Sequence, residues 1–238
     1  MGLICPLLII LKIMLRNLYG PGVDLGWDDP VPENLQRAWV EVLTMSMNLG
    51  DIVLYRAVKP ENTAGAPDLI GFADDNLEAY ACAIYIRWPL QKSEPSDPDQ
   101  FFVRLVCGKS KVKSVKGTTV PTSELSGFLI LTRLLKVVVA AMDTKPGQII
   151  TAVDSQCTIS AFEISGGLLA PYFASRVAEA SNNLTDLAEH TTVLPIQHVP
   201  GQCNPADIPT RATSTRQDVL PTSLWQSGPL YLSLPQNE

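Results

Sequence analysis

An α/β fold, with a mixed sheet flanked by helices and a helical segment ahead of it, is what the order of apolar periods predicts. Three apolar, β-prone runs follow one another between residues 69 and 115, and helical and strand periods then alternate to about residue 207. Hydrophobic residues are 46% of the 238, enough for a core in one sizeable domain with attachments, or in two small ones. The third observation is that acids recur where strands end or helices begin.

The first twenty residues, MGLICPLLIILKIMLRNLYG, read as an amphipathic helix. No basic residue precedes the short apolar run, and Lys12 and Arg16 interrupt the residues after it, so neither a signal peptide nor a membrane span fits. The apolar face is generous for so short a piece, which predicts a partner upstream. A turn-rich linker, Gly26-Trp-Asp-Asp-Pro-Val-Pro, comes next. Leu35, Trp39, Val42, Leu43 and Met47 then recur at helical spacing over 33–47, and a strand is expected over Asp51 to Val58.

The main domain opens with LIGFADDNLEAYACAIYIR, residues 69–87: a strand ending in Asp74, a turn at Asn76, and a second strand from Tyr80. A Pro-, Ser- and Asp-rich loop follows. The third strand, Phe101 to Val115, carries Lys109, Lys111 and Lys113 in alternation, with Lys116 beyond. These lysines read either as protection of a strand edge or as a strip that grips phosphates. Pro121-Thr-Ser-Glu opens a long helix to about Met142, with Glu124 in its first turn. Gln148 to Val153 is a short strand ending in Asp154. Helices are expected over 155–164 and 171–180, separated by Gly166-Gly167, and a last strand over Val193 to Val199. Asn204-Pro-Ala-Asp207 reads as a helix start, with Asn as cap.

Composition narrows the chemistry. Twenty-four acids against 18 bases give a net charge of −6, whereas a simple electrostatic nucleic-acid binder is usually basic. Any nucleic-acid role must use a local basic patch or cations held by the acids. The 5 cysteines are scattered, without CxxC, which argues against a disulfide framework and fits an intracellular, reducing compartment. Two histidines, His190 and His198, argue against a His-based zinc site.

Singly, each acid has an ordinary explanation as a solvated tip or a residue favoured by a helix dipole. Together, Asp74, Glu124, Asp154 and Asp207 sit at matching positions, where a mixed sheet gathers strand ends and helix starts in one crevice. Two divalent cations about 4 Å apart need several carboxylates from different elements.

The same residues resemble the ribonuclease H-like region of the BEL/Pao retrotransposon polyprotein. A GWDDP linker stands at Gly26 to Pro30, and the family's F-x-D-x-S…A-Y-G-A strand pair is similar to Phe72 to Arg87. Its A-K-S-R-V strand resembles Gly108 to Val112, and its T-I-P-R-x-E-L helix start resembles Thr119 to Leu125. T-D-S is matched by Val153-Asp-Ser155, F-x-A-N-R-V-A-E-I by Phe173 to Ala180, and H-V-P-G-x-x-N-P-A-D by His198 to Asp207. Residues 1–20 look like the family's segment after reverse transcriptase.

The resemblance implies a ribonuclease H-like five-stranded sheet over 66–212, a connection segment over 1–65 and a C-terminal tail over 213–238. It implies Asp74, Glu124, Asp154 and Asp207 as catalytic carboxylates holding two Mg2+ or Mn2+ ions. The expected partners are an RNA–DNA hybrid, cut in its RNA strand, and the reverse transcriptase of the same polyprotein, with no membrane. Lys109, Lys111, Lys113 and Lys116 are the nucleic-acid-binding candidates. Three departures leave an inactive module of the same fold as the alternative: Thr122 replaces an arginine, Glu163 an aromatic, and Pro209 interrupts the final helix. Met1 falls inside a family motif, so the chain reads as part of a longer protein.

Some signals mislead. Phe72-Ala-Asp-Asp75 also spells a polymerase tetrapeptide, but the residues before it supply no second aspartate strand. Asp143-Thr-Lys145 lacks the glycine of an aspartic-peptidase loop. His198 is read as structural. Asp75 is a possible extra acid, although alternation turns it away from Asp74.

Overall fold

The computed structural model describes residues 2–20, 23, 25–26, 28–54, 57–114, 120–164 and 169–235, with the backbone alone at 120–122. Helices α1 (Cys5–Leu18) and α2 (Glu33–Met47) come first. Strands β1 (Asp68–Asp75), β2 (Ala79–Pro89) and β3 (Phe101–Val112) follow, then α3 (Val120–Ala141), β4 (Gln148–Val153), α4 (Gln156–Glu163) and α5 (Pro171–Ala188). The order closes with β5 (Thr192–Val193), β6 (Gln197–His198) and the short helix α6 (Leu224–Ser227), among several 3-10 turns.

The strands form one mixed sheet in the order β3-β2-β1-β4-β5, with β6 also on β4. Neighbours β1, β2 and β3 are antiparallel, whereas β1 and β4 are parallel. The expected last strand exists as two short pieces, and Pro195 falls between them, where a missing N–H cannot join a ladder. Both pieces still run parallel to β4, so the fifth ladder position is filled.

Alternation sends odd and even residues of β1 to opposite faces. Leu69 joins Ile84, Phe128, Leu131 and Ile149 in a core under α3 and α5. Ile70 and Phe72 join Tyr85, Leu105 and Trp225 in a second core on the other face. Arg133 and Lys136, on the polar side of α3, pair with Glu179 and Asp186 of α5. Inside the same interface the Asn183 amide donates to Thr132 Oγ1 at 3.1 Å.

Several expectations change. No strand forms among the described residues of 51–58, and the third strand ends at Val112. The apolar face of α1 is covered by the chain itself rather than by a partner upstream: Leu7, Ile9, Ile10 and Ile13 pack with Val42, Ala79 and Val219. The second helical piece runs on to Ala188. Lys116, Trp27 and Gly166-Gly167 lie outside the described residues.

Residues after 212 lie against the sheet. Trp225 is fully buried and donates from Nε1 to the Leu3 carbonyl at 2.8 Å, while the Tyr85 hydroxyl donates to the Trp225 carbonyl at 2.7 Å. Among the described residues no helix is long and apolar enough to cross a membrane.

Candidate active site

Register alone brings two acids together. In the parallel pair β1–β4, Ala73 faces Val153, so Asp74 and Asp154 are the next residues along neighbouring strands. Such strands lie about 4.8 Å apart. Asp74 is 8% exposed and shares a side-chain hydrogen bond with Asp154. Burial, then the charges of Asp154 and Asp207, push its carboxyl up to about 9. Like charges beside a desolvated carboxyl disfavour its ionisation.

Asp207 arrives from a 3-10 turn, Pro205–Thr210, instead of the α-helix start expected there. Pro209 breaks the helical backbone at φ −80, ψ 16. Asn204 caps this turn, as the motif predicts, and also donates from Nδ2 to the Ala73 carbonyl at 3.0 Å. That second bond ties the turn to the strand beside Asp74. Thr210 Oγ1 donates to the Asp207 carbonyl at 2.7 Å and lies 3.4 Å from Asp74 Oδ2.

Glu124 is the fifth residue of α3, not in its first turn, because the helix begins at Val120. The dipole at a helix start therefore explains it less well. Its Oε2 accepts from Ser155 Oγ at 2.5 Å, and Ser155 follows Asp154 directly. Burial raises its pKa, the Ser155 bond opposes this, and the charges of Asp75 and Asp154 add to the rise. Gly127 makes this approach possible. A β-carbon there would stand 2.9 Å from the Asp74 carbonyl oxygen, so α3 crosses β1 as close as a backbone allows.

The four acids are thus set around one strand-end crevice, but they are not a closed cage. Among the described residues no three His, Cys, Asp or Glu side chains are grouped as a metal site. Asp207 is held instead by Arg211, with Nε to Oδ1 at 2.8 Å and Nη2 to Oδ2 at 2.6 Å. The i,i+4 spacing of Asp207 and Arg211 was readable in the sequence and was missed. Ser155 and Thr210 were missed as partners of the acids, since a lone hydroxyl carries no spacing signal.

The lysine strip divides. Lys109 and Lys111 are exposed on β3, but Lys113 lies beyond the strand end, buried, with its ammonium on the Asp75 carboxylate. Its reading as a phosphate grip is corrected: the strand stops, alternation ends, and the chain turns inward. Asp75 faces away from Asp74, as alternation predicts, being opposite Tyr80 where Asp74 is opposite Ala81. His198 is exposed at the edge of the crevice, with Nε2 3.2 Å from the Asp154 carbonyl oxygen.

Comparison with known proteins agrees with the motifs. The sequence profile of the Pao retrotransposon-like RNaseH-like domain matches residues 1–155, a span that holds Asp74, Glu124 and Asp154 but not Asp207. No curated protein sequence matches. Among solved structures, the N-terminal RNase H domain of a Mycobacterium tuberculosis protein is 12% identical, with 58% of this chain and 86% of that one covered and a TM-score of 0.38. RNase H1 of Halobacterium salinarum is 14% identical, with coverages of 60% and 91% and a TM-score of 0.36. LC11-RNase H1, solved with an RNA/DNA hybrid, is 11% identical, with coverages of 59% and 91% and a TM-score of 0.36. Those three likenesses are faint, and it is the profile match over most of the length, on a mixed sheet flanked by helices, that shows this chain to belong to the Pao retrotransposon-like RNaseH-like domain family.

Proposed function

We propose that the chain is a metal-dependent nuclease that hydrolyses the RNA strand of an RNA–DNA hybrid. The observation that carries this is the buried Asp74 carboxyl beside the half-buried Asp154 at the ends of two parallel strands, with Asp207 close enough to disfavour its ionisation. A cation beside such a pair favours its ionised form. The donor set consists of hard carboxylate oxygens, which suits Mg2+ or Mn2+.

In this reading Asp74 and Asp154 hold the ions, and Glu124 and Asp207 complete the set. Bound in pairs, such ions activate a water and stabilise the leaving oxygen of a phosphodiester. The chain's own part is to fix the carboxylates before substrate arrives. Asp74 and Asp154 are set by the β1–β4 register, Glu124 by Ser155, and the Asp207 turn by Asn204. Lys109 and Lys111 offer exposed charges to the nucleic-acid backbone.

The grip of Arg211 on Asp207 favours a second reading, in which the domain binds a hybrid or a polymerase partner without cutting. One assay separates the two. Labelled RNA–DNA hybrid is incubated with Mg2+ or Mn2+ and the chain, alongside Asp74→Asn and Asp154→Asn. Cleavage by the parent, reduced at least ~10²-fold in both variants, is the outcome expected of the nuclease. Hybrid retained without cleavage overturns that reading in favour of the module.

A further inference from the structure

Asp75 has no place among the four acids, yet its side chain is only 5% exposed and that of its partner Lys113 7%. Lys113 Nζ and Ser123 Oγ both donate to Asp75 Oδ2, and Ser123 is itself buried. The Lys113 backbone N–H donates to the Glu78 carbonyl at 2.8 Å, pinning the exit of β3 to the β1–β2 turn. Three elements therefore meet at one oxygen: the end of β1, the chain leaving β3, and the opening residues of α3.

Two of the contributors are chain neighbours of site acids. Asp75 follows Asp74, and Ser123 precedes Glu124. A buried ion pair is a weak source of stability, because desolvation of both charges offsets most of their attraction. Its fixed geometry is what it contributes here. Lys113 and Asp75 also act on the Glu124 carboxyl through space, in opposite directions, so the groups are near enough to feel one another.

We infer that Asp75, Lys113 and Ser123 form a positioning unit that sets Glu124 against the Asp74–Asp154 pair. This rests on the nuclease reading only for what Glu124 then does. Asp75 is a positioning residue and not a fifth ligand: its carboxylate is turned to the opposite face of β1 and already holds two donors.

The test uses the full chain, carbon-13 NMR of the Glu124 side-chain carboxyl, Mn2+ titration by calorimetry, and hybrid cleavage. Lys113→Met leaves a buried charge and can fail to fold, so the neutral double variant Asp75→Asn/Lys113→Met accompanies it. In the double variant the Glu124 resonance is expected to shift, Mn2+ affinity to fall roughly 10- to 100-fold, and kcat to fall with KM for the hybrid unchanged. Lys113→Arg is expected to restore all three. An unmoved Glu124 resonance in a folded double variant overturns the inference. Should the parent bind no Mn2+ and cut nothing, the nuclease reading fails by itself, and the resonance alone decides: a shift upholds the positioning unit, no shift removes it.

Discussion

Gly127 is the residue on which the site's geometry turns most directly. An alanine in place of glycine inside a helix ordinarily stabilises by about 1 kcal/mol. Here the added carbon would meet a backbone oxygen at 2.9 Å, and a strand carbonyl cannot swing aside as a side chain can. Gly127→Ala is therefore expected to reverse the usual sign and cost roughly 1–3 kcal/mol in urea unfolding, the range of overpacked cores. The same displacement would lift Glu124 away from Ser155, so on the proposed nuclease reading cleavage should fall along with stability. A stabilised Gly127→Ala protein would show that α3 is free to slide on β1. At this scale the sequence was a partial guide. Acids at strand ends were readable because the change from apolar to acidic marks them. Lys113 on Asp75 was not, since it depends on where the chain bends after the strand ends, whereas the Asp207–Arg211 spacing was there to be read.

Among the elements, periodicity served the long ones well. The bounds of α2 and α3 follow apolar spacing to within a residue or so, and β1 and β2 follow their runs to the turn at Asn76. The C-terminal stretch behaves differently. Residues 213–235 have no sustained period, and a tail was the natural expectation. They form short turns with Trp225 and Leu232 in the core of the second sheet face. Such packing leaves no periodic trace, because each anchor enters from its own bend. The indole ring occupies the space a β-carbon at Gly108 would need, 2.3 Å from its nearest ring atom, so it packs directly against the β3 backbone. Trp225→Ala is expected to cost about 3–5 kcal/mol, measured by thermal or urea unfolding, as befits a fully buried tryptophan. A value near zero would mean that this stretch is dispensable to the sheet. The cost should exceed that of Leu230→Ala, since Leu230 is 80% exposed.

Across the whole molecule, the net charge of −6 and the acid crevice make stability depend on pH and, on the proposed nuclease reading, on cations as well. Burial, then Asp154 and Asp207, raise Asp74 to about 9, and burial likewise raises Glu124 and Asp68. A carboxyl with a raised folded pKa keeps its proton in the folded chain while the unfolded chain has already released it. Stability is then fully present below the ordinary carboxylate range and is lost as pH climbs through the folded value. In EDTA the melting temperature should fall between pH 4 and pH 9, by about 5 °C or more for a chain of this size. The exposed pairs Asp51–Arg216 and Glu179–Arg133 lean the other way, with acid pKa values lowered by arginine, but solvent screens them. Asp74→Asn removes the dominant group and should flatten the slope while raising the melting temperature near pH 8. Mn2+ binds only deprotonated carboxylates, so its stabilisation should grow with pH and oppose the decline in the parent, but not in Asp74→Asn. A melting temperature that rises with pH in EDTA would show that Asp74 is ionised without a cation, and the crevice would then have no physical need of one.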